Sequence, residues 1–353
     1  MRNFTFKGLL LTAVFMLLGC LSIQAANDDL ITKQITIKLD KAGTLPDRIA
    51  SSKKYKITNL KIVGEINGTD WNMIREMAGR NYQESSTEGN LSVLDLSEAK
   101  IVAGGDYYYY DNLFNNKVYT SNDEIGEYAF AYCSGLTSLT LPAGITEIGE
   151  STFSDCSGLT SLTLPAGITS INYGAFLDCS GLTSLTLPDG ITSIGEYAFS
   201  GCSGLTSLNL PAGITSIDKY AFSGCSRLTS LTLPAGITSI GEFAFSYCSG
   251  LTSIYVYAEK VPRIGRYAFE GCASRKCTLY VPKGTYDNYR LSEFGYFENI
   301  VEFDATGIDK TTTSTDVEEV SRYSLNGQRL VGPTKGLNIV KYSDGSVKKV
   351  AVE

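Results

Sequence analysis

A cysteine recurs every 23 residues through the middle of the chain, at Cys133, Cys156, Cys179, Cys202, Cys225 and Cys248, with Cys272 following after 24. Three residues before each stands a phenylalanine: Phe130, Phe153, Phe176, Phe199, Phe222, Phe245 and Phe269. Self-similarity at one fixed period of this size marks a solenoid, in which each copy stacks only on its neighbours. The copy beginning at Ser157 runs S-G-L-T-S-L-T-L-P-A-G-I-T-S-I-N-Y-G-A-F-L-D-C. Copies at Ser134, Ser180, Ser203 and Ser226 differ from it at a minority of positions.

Within that copy Leu159, Leu162 and Leu164 give L-x-x-L-x-L with Thr and Ser between, the alternation of a strand with one buried face. Pro165-Ala166-Gly167 turns the chain. Ile168 and Ile171 form a second short apolar segment, and residues 172–176 are expected as one helical or 3₁₀ turn. One copy alone buries too little apolar surface to offset the ordering of its backbone, whereas stacked coils share their faces. At about 4.8 Å per strand, seven coils would make a rod roughly 35 Å long.

Of the 353 residues, 43% are apolar, enough for a core. The formal net charge is −7, a poor start for binding nucleic acid. Between Glu124 and Val256 there are ten Asp or Glu against only Lys219 and Arg227. Histidine is absent, which removes Ser–His–Asp and Cys–His chemistry and the commonest metal ligand. We expect no enzyme activity and no cofactor.

Residues 1–25 are expected to be a secretory signal peptide. Arg2 and Lys7 make its basic start, residues 9–18 its apolar stretch, and Ile23-Gln24-Ala25 its cleavage site. Cleavage there would take the net charge from −7 to −9. An alternative is lipidation of Cys20, since Leu17-Leu18-Gly19-Cys20 resembles a lipobox. Residues 26–102 are expected as an α+β cap ending in a first divergent repeat, with Thr44 and Asp70 as helix N-caps and Trp71, Ile74 and Met77 packing at helical spacing. Residues 103–123 are a tyrosine-rich insert. Tyr107, Tyr108, Tyr109 and Tyr110 cannot all face inward from one strand or helix, so some are expected at the surface as a patch for a protein or glycan, or as a loop over the junction. Residues 124–303 are the solenoid with its closing segment, 304–319 a polar linker, and 320–353 a small β-module with hairpin turns at Asn326-Gly327 and Asp344-Gly345.

L-T-S-L-T-L-P-D-G-I-T-S-I-G-E-Y-A-F-S-G-C, as it stands from Leu182 to Cys202, closely resembles the BspA-like branch of leucine-rich repeats of bacterial surface proteins. I-T-N-L-K-I-V-G-E-I-N-G-T-D-W from Ile57 is similar to the lead-in domain of such proteins, and the tail from Val320 resembles a type IX secretion sorting domain. The resemblance implies an α/β solenoid of 23-residue leucine-rich repeats on an N-terminal α+β cap, followed by a small C-terminal β-module. It further implies surface display on a Gram-negative bacterium and protein binding, with host matrix proteins, bacterial surface proteins or a glycan as partners. A structural spacer without a specific ligand is the alternative, because the outward Thr and Ser offer few interface anchors.

The cysteine ladder is expected to consist of free buried thiols, since parallel Cα–Cβ bonds neither converge on a metal nor close to disulfide distance. Cys272 and Cys277 leave the register and are the one pair suspected of bridging. Glu127, Glu150, Glu196 and Glu242 share one repeat position, which is expected to open a helical turn where negative charge is favoured; calcium is the alternative considered there.

Overall fold

The computed structural model describes residues 29–305 except 114, and the strand residues 319–324, 329–330, 336–342 and 347–352. The expected signal peptide, Cys20, most of the expected linker and both C-terminal turn dipeptides lie outside the described residues.

The cap runs β1 (Ile35–Leu39), α1 (Leu45–Arg48), α2 (Ser51–Lys54), β2 (Asn59–Ile66), α3 (Gly68–Met77) and β3 (Val93–Ile101). Its three strands are parallel, and β3 pairs in the same sense with Ser138–Thr140 of the first regular copy, Leu94 opposite Leu139. The cap is therefore the beginning of the solenoid's own ladder.

The N-terminus of α3 corrects the expectation for Asp70. Asn67 is the N-cap, accepting from the Thr69 amide at 3.1 Å, while Asp70 sits three residues later in a capping box and accepts from the Asn67 amide at 2.9 Å. The fully buried Asp70 carboxylate also accepts from the amides of Gly43 at 2.6 Å and Leu45 at 2.8 Å. It thus does for α1 what Thr44 was expected to do. Thr44 donates to the Lys41 carbonyl instead.

Each regular coil contributes two strands. Ser161–Thr163 and Ser184–Thr186 pair in parallel exactly one repeat apart, Leu162 on Leu185, and Ser193–Ile194 pairs with Ser216–Ile217, Ile194 on Ile217. The leucines and isoleucines of these strands are buried, and the Ser and Thr between them face outward.

The expected helical turn is absent. Its place is taken by turns with two left-handed residues per coil: Tyr197 and Gly201 at φ 57° and 72°, Tyr220 and Gly224 at 55° and 75°. Two positive φ values five residues or fewer apart cannot belong to a right-handed helix. The backbone instead bonds between coils, Phe176 N–H to the Ala198 carbonyl at 2.8 Å and Phe199 N–H to the Ala221 carbonyl at 2.7 Å. Glu127, Glu150, Glu196 and Glu242 accordingly do not begin helices.

The core is an aromatic column. Rings from Phe130 to Phe269 follow one another at centroid separations between 5.1 and 5.6 Å, nearly parallel at most steps. Beside it runs the thiol ladder: Cys179 donates to the Phe153 carbonyl at 3.0 Å and Cys202 to that of Phe176 at 3.1 Å. All eight described cysteines are buried and free. Cys272 keeps the ladder's bond, to the Phe245 carbonyl at 3.2 Å, so the suspected bridge to Cys277 is not formed.

Trp71 covers the first ring at 5.2 Å from Phe130, and Phe294 and Phe297 cover the last at 5.5 and 5.3 Å from Phe269. The closing segment is α4 (Tyr286–Arg290), a 3₁₀ turn (Glu293–Tyr296) and the last ladder strand (Asn299–Phe303). Beyond it Glu319–Ser324, Arg329–Leu330, Gly336–Tyr342 and Val347–Val352 form a small antiparallel sheet. Among the described residues no helix is long and apolar enough to cross a membrane.

Candidate functional site: the tyrosine hairpin at the solenoid entrance

The insert folds as an antiparallel hairpin, β4 (Gly104–Asp111) and β5 (Asn116–Thr120), packed against α3. Adjacent strand residues point to opposite faces, and at Tyr108 and Tyr109 both faces are covered. Tyr108 is 1% and Tyr109 4% exposed. These two of the four candidate contact residues are core, and burial raises both phenols well above the usual tyrosine range. Tyr107 and Tyr110 are half-buried.

The buried tyrosines have a structural task. In the regular stack, Tyr128, Phe130 and Tyr132 donate their amides to the carbonyls of Glu150, Thr152 and Ser154. The first coil's equivalent carbonyls, one repeat earlier, are those of Glu127, Ala129 and Ala131. They have no preceding coil, and a buried carbonyl left unpaired is costly. The Tyr108 hydroxyl donates to Glu127 at 2.9 Å, the Trp71 indole to Ala129 at 2.9 Å, and Arg75 to Ala129 at 3.0 Å and Ala131 at 3.4 Å. Gly126 leaves room for the hydroxyl, since a Cβ there would stand 2.3 Å from it. Arg75 also donates to Tyr128 at 2.6 Å and is fully buried, its guanidinium 5.5 Å from the Tyr109 ring. Its partners are carbonyl dipoles and a ring face rather than a carboxylate.

The outward side of the hairpin is a second aromatic group. Tyr107 meets Tyr82 at 5.2 Å, Tyr119 at 6.2 Å and Tyr110 at 6.3 Å, and Lys117 lies 4.8 Å over the Tyr107 ring. Tyr119 is 50% exposed. Tyr82 and Tyr119 went unnoticed in the sequence. Tyr119 could have been found from hairpin pairing, but nothing local announces Tyr82.

Beneath the hairpin is a recess of about 350 Å³ whose lining includes Glu124, Glu127, Glu147 and Glu150. Burial, then the charges of Glu150 and Glu147, raise the Glu127 carboxyl above its ordinary value. Among the described residues no three His, Cys, Asp or Glu are arranged to hold a metal ion. Away from the hairpin, the strand face repeats Ser and Thr with little change through five coils.

The BspA type leucine rich repeat region matches this chain in six copies, over residues 103–225 and 169–294. The chain belongs to this family. Among solved structures, the chain resembles a leucine-rich repeat protein of T. pallidum at 29% identity, over 40% of this chain and 66% of that one, with a TM-score of 0.37. It resembles another from Bacteroides ovatus at 19% identity, over 76% and 92% of the two chains, with a TM-score of 0.25. A leucine rich cell surface protein from Faecalibacterium prausnitzii gives 20% identity, 76% and 87% coverage and a TM-score of 0.28. Comparison with curated proteins gives no match.

Proposed function

We propose that this BspA-type repeat protein is exported to the outer surface of a Gram-negative bacterium and works there as a scaffold for protein–protein contact, in adhesion to host or bacterial surfaces. The observation that carries the reading is the outward aromatic group of half-buried Tyr82, Tyr107 and Tyr110 and exposed Tyr119, with Lys117 across it. Aromatic side chains are among those that dominate binding energy at interfaces, and here three of the four stand on the hairpin beside a strand face of uniform Ser and Thr. A protein of the host matrix or of another bacterial surface is the proposed partner, with a glycan as the alternative ligand for the same rings. No catalytic group or cofactor enters this reading.

Tyr107→Ser combined with Tyr119→Ser should weaken retention of matrix proteins in a pull-down while leaving the thermal midpoint within a few degrees. Unchanged retention by a folded variant would refute the site. Export is tested separately. Deleting residues 320–353 should trap the protein in the periplasm if the tail is a sorting domain, and mass spectrometry of the mature N-terminus separates cleavage after Ala25 from lipidated Cys20.

The uniform Ser and Thr face supports a second reading, a spacer that holds other components away from the surface. That reading expects no ligand above background from any matrix protein or glycan, and no effect of the paired substitution.

A further inference from the structure

A second row of rings runs along the outside of the solenoid at its turns. Tyr173, Tyr197, Tyr220, Phe243 and Tyr267 follow one another at centroid separations of 5.7, 4.8, 4.9 and 5.1 Å. Tyr173 and Tyr267 are 45% and 48% exposed, and the three rings between them are half-buried.

The last four occupy the first left-handed position of their coils, with φ between 55° and 59°. That conformation is strained for any side chain with a Cβ and is an outlier for a bulky ring. The fold does not ask for rings there: the same position holds Ser151 at φ 49° and Gly174 at φ 54°. Stacking between neighbouring rings works against the cost of the left-handed backbone, a conformation that glycine would adopt without strain. Strained residues that the scaffold does not need are a mark of function.

The charges beside the row indicate what it would hold. Exposed Asp218 and Glu242 and half-buried Glu196 stand within two residues of Tyr220, Phe243 and Tyr197, with Lys219 among them 3.7 Å from Glu242 and exposed Arg263 and Arg266 at the far end of the row. At the end of the row Arg266 places its guanidinium 5.2 Å from the Tyr267 ring, an intramolecular example of how arginine seats on these aromatics.

We propose that this row is a docking surface for an arginine-rich extended polypeptide segment, whose guanidinium groups lie against the rings and pair with the flanking carboxylates. The proposal rests on the reading of this chain as a protein-binding scaffold, and it places that binding along the turns of the later coils rather than on the hairpin's own rings.

The test uses the full chain and a fluorescein-labelled (Arg-Ser)6 peptide, with (Glu-Ser)6 as control, followed by anisotropy. The chain should bind the arginine peptide, more weakly as salt rises, and ignore the acidic one. Tyr197→Ser, Tyr220→Gly and Phe243→Ser together install the residue types that other coils carry at this position. They should weaken binding about tenfold or more, the factor that about 1.4 kcal/mol represents, with no loss of thermal midpoint. Should that triple variant melt early, Asp218→Lys with Glu242→Lys keeps every ring and should weaken binding several-fold. Absence of binding by the unaltered chain, or full binding by either folded variant, overturns the proposal. The hairpin pair Tyr107→Ser and Tyr119→Ser should leave the arginine peptide bound; this separates failure of the ring row from failure of the hairpin reading.

Discussion

Tyr108→Phe removes one oxygen and nothing else. The ring is 1% exposed and packs 6.1 Å from Trp71, so phenylalanine fits the same space. What is lost is the 2.9 Å bond to the Glu127 carbonyl, which in a regular coil would be satisfied by the amide of the coil before. An acceptor left buried without a partner costs about 1–3 kcal/mol, against nearly nothing for an exposed hydroxyl. Urea unfolding at fixed pH should show a loss in that range with an unchanged m-value. Tyr267→Phe, at a ring 48% exposed, is the control and should shift stability by less than about 0.5 kcal/mol. Because each coil is supported only by its neighbours, the loss should be concentrated at the entrance, as faster amide exchange in residues 124–135 than in 226–248. If Tyr108→Phe behaves like the control, the first coil's carbonyls do not need the hairpin, and the capping account is wrong.

Asp70→Asn leaves an amide where three backbone N–H groups converge; it should cost about 1.5–3 kcal/mol by thermal or urea unfolding. Removing one whole coil, residues 180–202, should give a folded protein with the same circular dichroism per residue, whereas removing 11 residues of it should not fold. Burial raises the thiols of Cys156, Cys179 and Cys202 well above their ordinary range, and it raises Cys277 from 9.0 up to about 11. In the unfolded chain these groups lose their protons near pH 9 while the folded chain keeps them, so stability should fall as pH rises from about 9 through 11. Replacing Cys179 and Cys202 by alanine should flatten that fall in urea midpoints measured across the interval; an unaltered slope would exclude the thiols as its cause.

The strands and the core were legible because their signal is periodic. Leucine at fixed spacing, phenylalanine three before cysteine and Ser or Thr between define which side chains turn inward, and they sit there, with Leu210 alone of the patterned leucines only partly buried. The turns were not legible. Residues 172–176 carry apolar spacing compatible with a helical turn, and only Gly174 among them hints at positive φ. In most coils Tyr or Phe holds the same left-handed place, against its own preference. The free state of Cys272 and Cys277 was misjudged from register alone, since one extra residue shifts the chain without moving Cys272 out of the ladder. At the candidate site the tyrosine quartet was visible as composition, but which rings would be covered was not. That depends on Trp71 and Tyr128, 37 and 19 residues from Tyr108 and Tyr109 in sequence. Arg75 gave no signal at all, because a basic residue on an amphipathic helix normally faces water and this one reaches carbonyls more than 50 residues away.

The capped carbonyl row has a further consequence for assembly. Every coil offers amides to its successor, so the stack is polar: one end ends in acceptors, and the other ends in donors of matching spacing. Two such ends are complementary, and a repeat array without terminators would add copies of itself head to tail, as heterologous contacts that do not close into a ring produce fibres. Tyr108, Trp71 and Arg75 occupy the acceptors, and Phe294 and Phe297 cover the opposite face. Three donors at one end and two rings at the other thus set a finite length for a unit whose repeats carry no instruction to stop.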